Sequence, residues 1–352
     1  MNEVPGGLVR TDPASPGLTR RRRGRGWSFH DADGAPITDP AVIARIKALV
    51  IPPAWQDVWI SPDPDGHIQA VGTDAAGRRQ YRYHEQWRLA RAQEKHDRVL
   101  ALGRILSAVR TEVVVRLGEA GLGRDRVLAA GVRMLDIGVF RPGGEEYAPG
   151  DDDEDGTFGL ATLRRDHVQL KRGAVLFSYP AKGGIPRTLA LRDPLLHKVC
   201  NSLLRRRGGG EDLLAYRVRR DWHDVRAEDL NTAVKELAGE QFTCKDLRTW
   251  NATVLAAVTL AAGVAQAGVP ERERARKRVV NRAVKQVSEH LGNTPTVARS
   301  SYIDPRVLRR FEEGHTVLTA IRRLDGSSAV PDLTDDATRA AVERAVVRLI
   351  GA

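Results

Sequence analysis

Residues 292–305 read GNTPTVARSSYIDP and carry Tyr302, one of only six tyrosines in a chain of 352 residues. A phenol in a short polar segment between two helical patterns has two uses. It packs at a helix–helix corner, or it stands where a phosphate can reach it. A second segment, FTCKDLRTWN (242–251), opens on Thr243-x-x-Asp246, the signature of a capped helix N-terminus, so a helix is expected to begin near Cys244. Lys245 and Arg248 stand three apart and are expected to share one face of its first turn. A helix N-terminus flanked by a lysine and an arginine suits a phosphate, and equally suits a surface salt-bridge cluster. Arg141 ends the strand-like run of GVFRPGGEEY, and Lys182 lies in SYPAKGGIPR, a Gly/Pro hairpin tip where a lysine is ordinarily just solvated. In GRRQYRYH (77–84), read as a strand, Gln80, Arg82 and His84 share one face and Tyr81 and Tyr83 the other. Such faces suit a nucleic-acid groove or backbone, or cross-strand aromatic packing.

The elements that must carry these residues fall into two groups. Residues 1–26 are rich in Gly, Pro and Arg, end in TRRRRGRG and show no apolar period, so they read as a flexible basic arm. Residues 27–90 hold short aromatic and β-branched runs between turn signals such as DADGAP and SPDPDGH, with one short helix at 42–50: a small β-rich domain. From 91 to 352 the pattern is mainly helical. Helices are expected over 87–121, 191–207, 226–238, 244–263 and 274–292 and along the C-terminal tail. A strand group is expected between them, with members at 134–140, 157–172, 174–181 and 187–191. The fold class is therefore α+β, a small β-rich N-terminal domain followed by a larger mainly helical domain with a small antiparallel sheet.

Composition narrows the chemistry. Lys and Arg number 56 against 45 Asp and Glu, a formal charge of +11, which points to a polyanionic partner. At 41% hydrophobic the chain can build real cores. Two unpaired cysteines, Cys200 and Cys244, fit neither a disulfide framework nor a cysteine zinc site. A reducing cytosol is the expected compartment, and no membrane span is expected. No phosphate loop of the G-x-x-x-x-G-K-[ST] type and no H-E-x-x-H is present, so neither ATP nor a metal is expected as a cofactor. DDDEDG (151–156) has calcium-loop offsets but places Thr162 where a bidentate glutamate is needed, and reads as a solvated acidic turn.

Taken together, IPPAWQDVWISPDPDGHIQAVGTDAAGRRQYRYH, FRPGGEEY, GTFGLATLRRDHV, AKGG, CKDLRTW and GNTPTVARSSYI resemble the type IB DNA topoisomerases, in the compact poxvirus-like form also found in bacteria. The resemblance covers nearly the whole chain after the basic arm, in motif order and spacing. It implies that Tyr302, in G-[HN]-T-P-x₆-Y, is the nucleophile. Arg141, Lys182 and Arg248 match the family's catalytic arginine, hairpin lysine and K-D-L-R-T arginine, with Lys245 as helical neighbour. Asn293 stands where viral and nuclear forms have histidine; an amide can donate to a phosphoryl oxygen but cannot be a cationic acid. Gln80, Tyr81, Tyr83 and Tyr147 match positions that viral members use on DNA. Gly144 and Glu146 replace viral lysines, which argues against a strong preference for the viral recognition sequence.

The implied reaction is attack by the Tyr302 oxygen on one strand of duplex DNA. It forms a 3′-phosphotyrosyl bond and releases a 5′-hydroxyl, and after strand rotation the break is resealed without ATP or metal. A phenol of pKa ~10 is a poor nucleophile until activated. Arg141, Arg248 and Asn293 are expected to stabilise the transition state, and Lys182 to protonate the leaving oxygen. The resemblance also implies a monomer in the cytoplasm, on the nucleoid, its 27–90 and 91–352 domains forming a clamp around double-stranded DNA. Two rivals remain at this stage. A tyrosine recombinase would share the chemistry, but usually has H-x-x-R where this chain has Lys245-x-x-Arg248. A non-catalytic DNA-binding protein would explain the charge alone.

Overall fold

Short strands separated by turns form a five-stranded antiparallel sheet in the first of two units, Met1–His96 and Asp97–Ala352. The computed structural model describes residues 4–144, 156–325 and 331–351. Strands β1 (Leu18–Arg23), β2 (Gly26–His30), β3 (Gln56–Ile60), β4 (Ile68–Thr73) and β5 (Arg79–Tyr83) run in the order β2-β1-β3-β4-β5. Helix α1 (Pro40–Ala48) starts where Asp39 accepts a hydrogen bond from the Ala41 amide, with Pro40 in the first turn. Its Ile46, with Val42 and Ile43, covers a small core of Phe29, Val58, Ile60 and Ala70. β5 is an edge strand, and α2 (Glu85–Leu117) follows it, beginning in the first unit and ending in the second.

Two expectations change here. The arm expected over 1–26 is folded instead: Leu8 is buried, Val9 bridges to Gly66, Thr11 N donates to His67 Nδ1 at 3.0 Å, and from residue 18 β1 pairs with β2 and β3. Arg20 replaces an apolar side chain on the inner face. It donates to the carbonyls of Ile51, Pro52 and Trp55 and lies 4.1 Å over the Trp27 ring. A guanidinium used in this way leaves no apolar period to read. Arg21, Arg22, Arg23 and Arg25 remain exposed. The division between units falls after His96 rather than at 90, because the first turns of α2 still pack on the sheet unit, with Trp87 edge-on to His67 at 4.9 Å.

The second unit is mainly helical around one core. Its elements are α3 (Arg124–Gly138), the sheet β6 (Val168–Lys171), β7 (Ala174–Ala181) and β8 (Ile185–Leu191), α4 (Pro194–Arg205), the hairpin β9 (Ala215–Val218) and β10 (Asp221–Asp224), α5 (Ala227–Ala238), α6 (Cys244–Ala267), α7 (Glu273–Leu291), α8 (Pro295–Ser301), α9 (Pro305–Glu312), α10 (Leu318–Asp325) and α11 (Asp336–Gly351). The α+β class holds. The run at 134–140 is not a strand: 134–138 are the end of α3, which is buried on nearly every side, and 139–140 lead out of it. Of 157–172 only Val168–Lys171 is a strand, and β9–β10 fall where no strand was expected. Helix α6 is long and apolar enough to cross a membrane, but most of it is core. Its Trp250 packs so closely on α2 that a Cβ on Gly103 would lie 2.5 Å from the indole. Cys200 and Cys244 are buried, and burial pushes both thiols up to about 12.

A buried ionic network joins α2, α3, α6 and α11. Arg110 binds Asp136 through Nε at 2.8 Å and Glu343 through Nη1 at 2.6 Å. Arg339 donates to Asp136 and Asn251, and Trp250 Nε1 to Glu343. Burial alone would raise the Asp136 carboxyl, but Arg110, Arg339 and Arg133 outweigh it and hold it well below the usual carboxylate range. The folded value is depressed, so this stabilisation is present above the unfolded pKa of ~3.9 and is lost as pH falls below it. Asp136→Asn takes one carboxylate from three buried guanidiniums, leaving Arg110 and Arg339 with Glu343 and Arg133 with Asp193 and Asp336, and is expected to cost about 3 kcal/mol in urea unfolding at pH 7, the gap to wild type narrowing below about pH 4.

Candidate active site

Two helices, α3 and α7, end beside each other in the second unit. α3 stops at Val139, a β-branched residue held at φ 52°, and α7 stops at Gly292, at φ 61°. Gly292 suits the left-handed position and lets the Asn293 amide close back on Ser288 O at 2.9 Å. Carbonyls in the last turn of a helix lack intrahelical partners and carry the negative end of its dipole. Here guanidiniums take them. Arg187, from β8, donates through Nη2 to Gly138 O at 3.0 Å and His290 O at 3.3 Å. Arg248, from α6, donates to Val139 O and, at 3.0 Å, to Leu291 O. Arg141 donates to Gly292 O at 3.0 Å and to Asn293 Oδ1.

Tyr302 stands next to this ladder. Thr294 caps α8 by accepting from the Val297 amide, and Pro295 sets its first turn. Tyr302 ends α8, and Asp304 caps α9 immediately after it. Between the two caps the Thr253 hydroxyl of α6 contacts Tyr302 O at 3.4 Å and accepts from the Asp304 amide at 3.1 Å. The half-buried phenol ring lies under Arg248, whose Cζ is 5.5 Å from the ring centroid. Burial pushes the Arg248 guanidinium down to about 10; the Tyr302 phenol opposes this, and Arg141 and Arg187 add to it. It stays a cation at neutral pH. Arg248 Nε and Asn293 Nδ2 are buried and have no hydrogen-bond partner among the described residues.

Arg141 is aimed by its backbone. Leu160 N donates to Arg141 O at 2.8 Å and Ala161 N to Pro142 O at 2.7 Å, so the FRPGG and FGLAT segments run together. They can do so only because Gly143, at φ 84°, meets Gly159 backbone to backbone; a Cβ on Gly159 would lie 2.2 Å from Gly143 Cα.

These residues lie within a chain whose segments match known families. Residues 26–74 match the N-terminal domain of bacterial DNA topoisomerase IB, and residues 84–321 match the catalytic core of eukaryotic DNA topoisomerase I. The chain belongs to the type IB DNA topoisomerases. It is 27% identical over 301 residues to DNA topoisomerase 1B of Acanthamoeba polyphaga mimivirus, covering 84% of this chain and 88% of that protein. The topoisomerase core match spans Arg141, Lys182, Arg248, Asn293 and Tyr302.

The topoisomerase fold treats the expected residues unequally. Arg141, Arg248, Asn293 and Tyr302 come together. Lys182 stands exposed at the β7–β8 tip, ahead of Gly183 and Gly184 at φ 81° and 71°, and makes no hydrogen bond or ion pair among the described residues. Lys245 does not share the surroundings of Arg248: it is exposed, whereas Arg248 is 2% exposed. The expected cap at Thr243 forms, its amide and hydroxyl both donating to Asp246 at 2.9 Å. On β5, Gln80 donates to Asp74, while Tyr81 and Tyr83 are exposed and stack on each other at 5.9 Å. Tyr147 and the acidic 151–155 run lie outside the described residues. Sequence reasoning missed Arg187, Thr253 and the Gly143–Gly159 contact. Only the glycines within FRPGG and TFGLAT hinted at any of these.

Gly159→Ala is expected to shift the Arg141 segment and slow single-turnover DNA cleavage by about 10²-fold, the penalty typical of a 1 Å misplacement. Denaturing-gel assay of the covalent adduct over time measures it.

Proposed function

We propose that Tyr302 is the residue that this topoisomerase joins to DNA, with Arg141, Arg248 and Asn293 as the phosphate-binding donors. The observation that carries this reading is the convergence of two guanidiniums and an amide beside one phenol, with buried donors on Arg248 and Asn293 still open. The Tyr302 oxygen attacks a phosphodiester of one strand of duplex DNA. Its P–O bond forms as the bond to the 5′-oxygen breaks, leaving a 3′-phosphotyrosyl linkage. Charge that gathers on the non-bridging oxygens meets fixed donors in a site that already excludes much of the water. Asn293 donates but supplies no proton.

The leaving 5′-alkoxide takes its proton from Lys182, which reaches it from the exposed hairpin tip. Rotation of the freed strand relaxes supercoils of either sign. Reversal of the same step reseals the break, since the phosphotyrosyl bond conserves the energy of the backbone. No nucleotide and no metal enters any step. Lys245 and the edge strand bearing Gln80, Tyr81 and Tyr83 are assigned to DNA contact, as is Tyr147. The exposed guanidiniums of Arg21, Arg22, Arg23 and Arg25 suit the phosphate backbone. Both units thereby contribute DNA-binding surface. No step calls for a second copy, so the enzyme is proposed to act as a monomer on the nucleoid.

The test is supercoiled plasmid in EDTA without ATP, with a denaturant quench. Wild type is expected to relax the plasmid and leave a covalent adduct. Tyr302→Phe is expected to bind DNA nearly as before and to do neither; residual relaxation by this variant would remove Tyr302 from the role. Lys182→Ala is expected to slow cleavage by about 10²–10⁴-fold, as loss of a general acid does. A 5′-bridging sulfur, which leaves without a proton, is expected to restore much of that rate.

A further inference from the structure

We propose that Arg187 is a positioning residue of the cleavage step, one that fixes the distance between the Arg141 and Asn293 segments while the phosphate draws on Arg141 and Arg248. This rests on the phosphate-binding roles proposed above. The geometry has three parts. First, one nitrogen of Arg187 donates to Gly138 O and to His290 O, the carbonyls three residues upstream of Arg141 and of Asn293 respectively. It ties the two segments together just before each presents its donor. Second, Arg187 is cross-strand to Tyr179 in the β7–β8 ladder, and both lie against Phe140, the residue preceding Arg141. The Arg187 Cζ is 5.9 Å from the Phe140 centroid, and Tyr179 stacks on that ring at 5.9 Å and 18°. Phe140 is fully buried and also meets Phe177 edge-on at 5.0 Å. Third, Arg187 belongs to the strand that returns from the Lys182 tip.

The three arginines of the ladder have different obligations. Arg141 and Arg248 spend some donors on carbonyls and must turn others to the phosphate. Arg187 is assigned no phosphate contact, and its one bridging nitrogen bonds both helix ends, so it can hold their spacing whether or not DNA is bound. Its charge also faces other charges. Burial lowers its pKa and Arg141 lowers it further, while Tyr179 opposes them. The partial negative ends of α3 and α7 offset that repulsion.

Single-turnover cleavage of a duplex oligonucleotide tests this with Arg187→Met and Arg187→Lys. Arg187→Met is expected to cleave about 10–10²-fold more slowly, the scale of a misplaced donor. Its duplex affinity, read in a Tyr302→Phe background, is expected to stay within about twofold. Arg187→Lys, which keeps a cationic donor, is expected to fall between Arg187→Met and wild type. Two readouts separate positioning from general support. A 5′-bridging sulfur should leave the Arg187→Met defect in place, because the defect lies on the phosphate side. In a cycle with Asn293→Ala, the double variant should be less impaired than the product of the two single effects. Wild-type cleavage rates in both Arg187 variants, rescue by sulfur, or independent multiplication with Asn293→Ala would each overturn the proposal. Cleavage by wild type in the same series distinguishes such a result from failure of the assigned chemistry.

Discussion

The catalytic unit is organised around a problem of unpaired carbonyls. α3 and α7 finish side by side, and each leaves carbonyl oxygens and a negative dipole end with no partner from its own helix. Three guanidiniums answer both ends at once, in register: Gly138 with His290, Val139 with Leu291, and the Arg141 side chain with Gly292 and Asn293. The same bonds that finish the helices gather the cations. Concentrated positive charge would ordinarily repel itself, and here it is offset by the dipoles it caps. A cluster of guanidiniums beside a phenol is thus a by-product of terminating two helices correctly.

The rest of the unit keeps those ends in place. α3 is anchored to α2 and α11 by Asp136, Arg110, Arg339 and Glu343, and to α6 by the Asn251 amide, which donates to Asp136 O at 2.8 Å. That bond lies two residues before the ladder begins. α6 contributes both Arg248 and Thr253, so the arginine and the loop holding Tyr302 ride on one rigid element, itself locked by Trp250 against Gly103. Val139 is held in a left-handed conformation that a β-branched residue avoids, at a cost of about 1–3 kcal/mol. The bond from Arg248 to its carbonyl helps to hold it there.

Against this rigid, half-dry assembly stands Lys182, solvated at a hairpin tip. The contrast follows from what each group does. Donors that stabilise charge gain from being preorganised and desolvated. Burial of an ammonium group costs its hydration, and an exposed hairpin tip avoids that cost.

The sequence by itself determined the family and much of the outline: the motifs that carry Arg141, Lys182, Arg248, Asn293 and Tyr302 in family order, the cap at Thr243, and the α+β class. These are local signals, set by residue type and spacing within a few positions. It misjudged segments whose role is set by what surrounds them. α3 is buried on nearly every side and its end looked like a strand; Arg20 is an inner-face residue of a strand and looked like part of a tail; Lys245 and Arg248, three apart on one helix, stand in water and in the core respectively. Arg187 and Thr253 carried no signal at all. Their partners lie 49 or more residues away in the chain, and a contact between carbonyls at one helix end and a guanidinium on a distant strand exists only once the helices have been packed against each other.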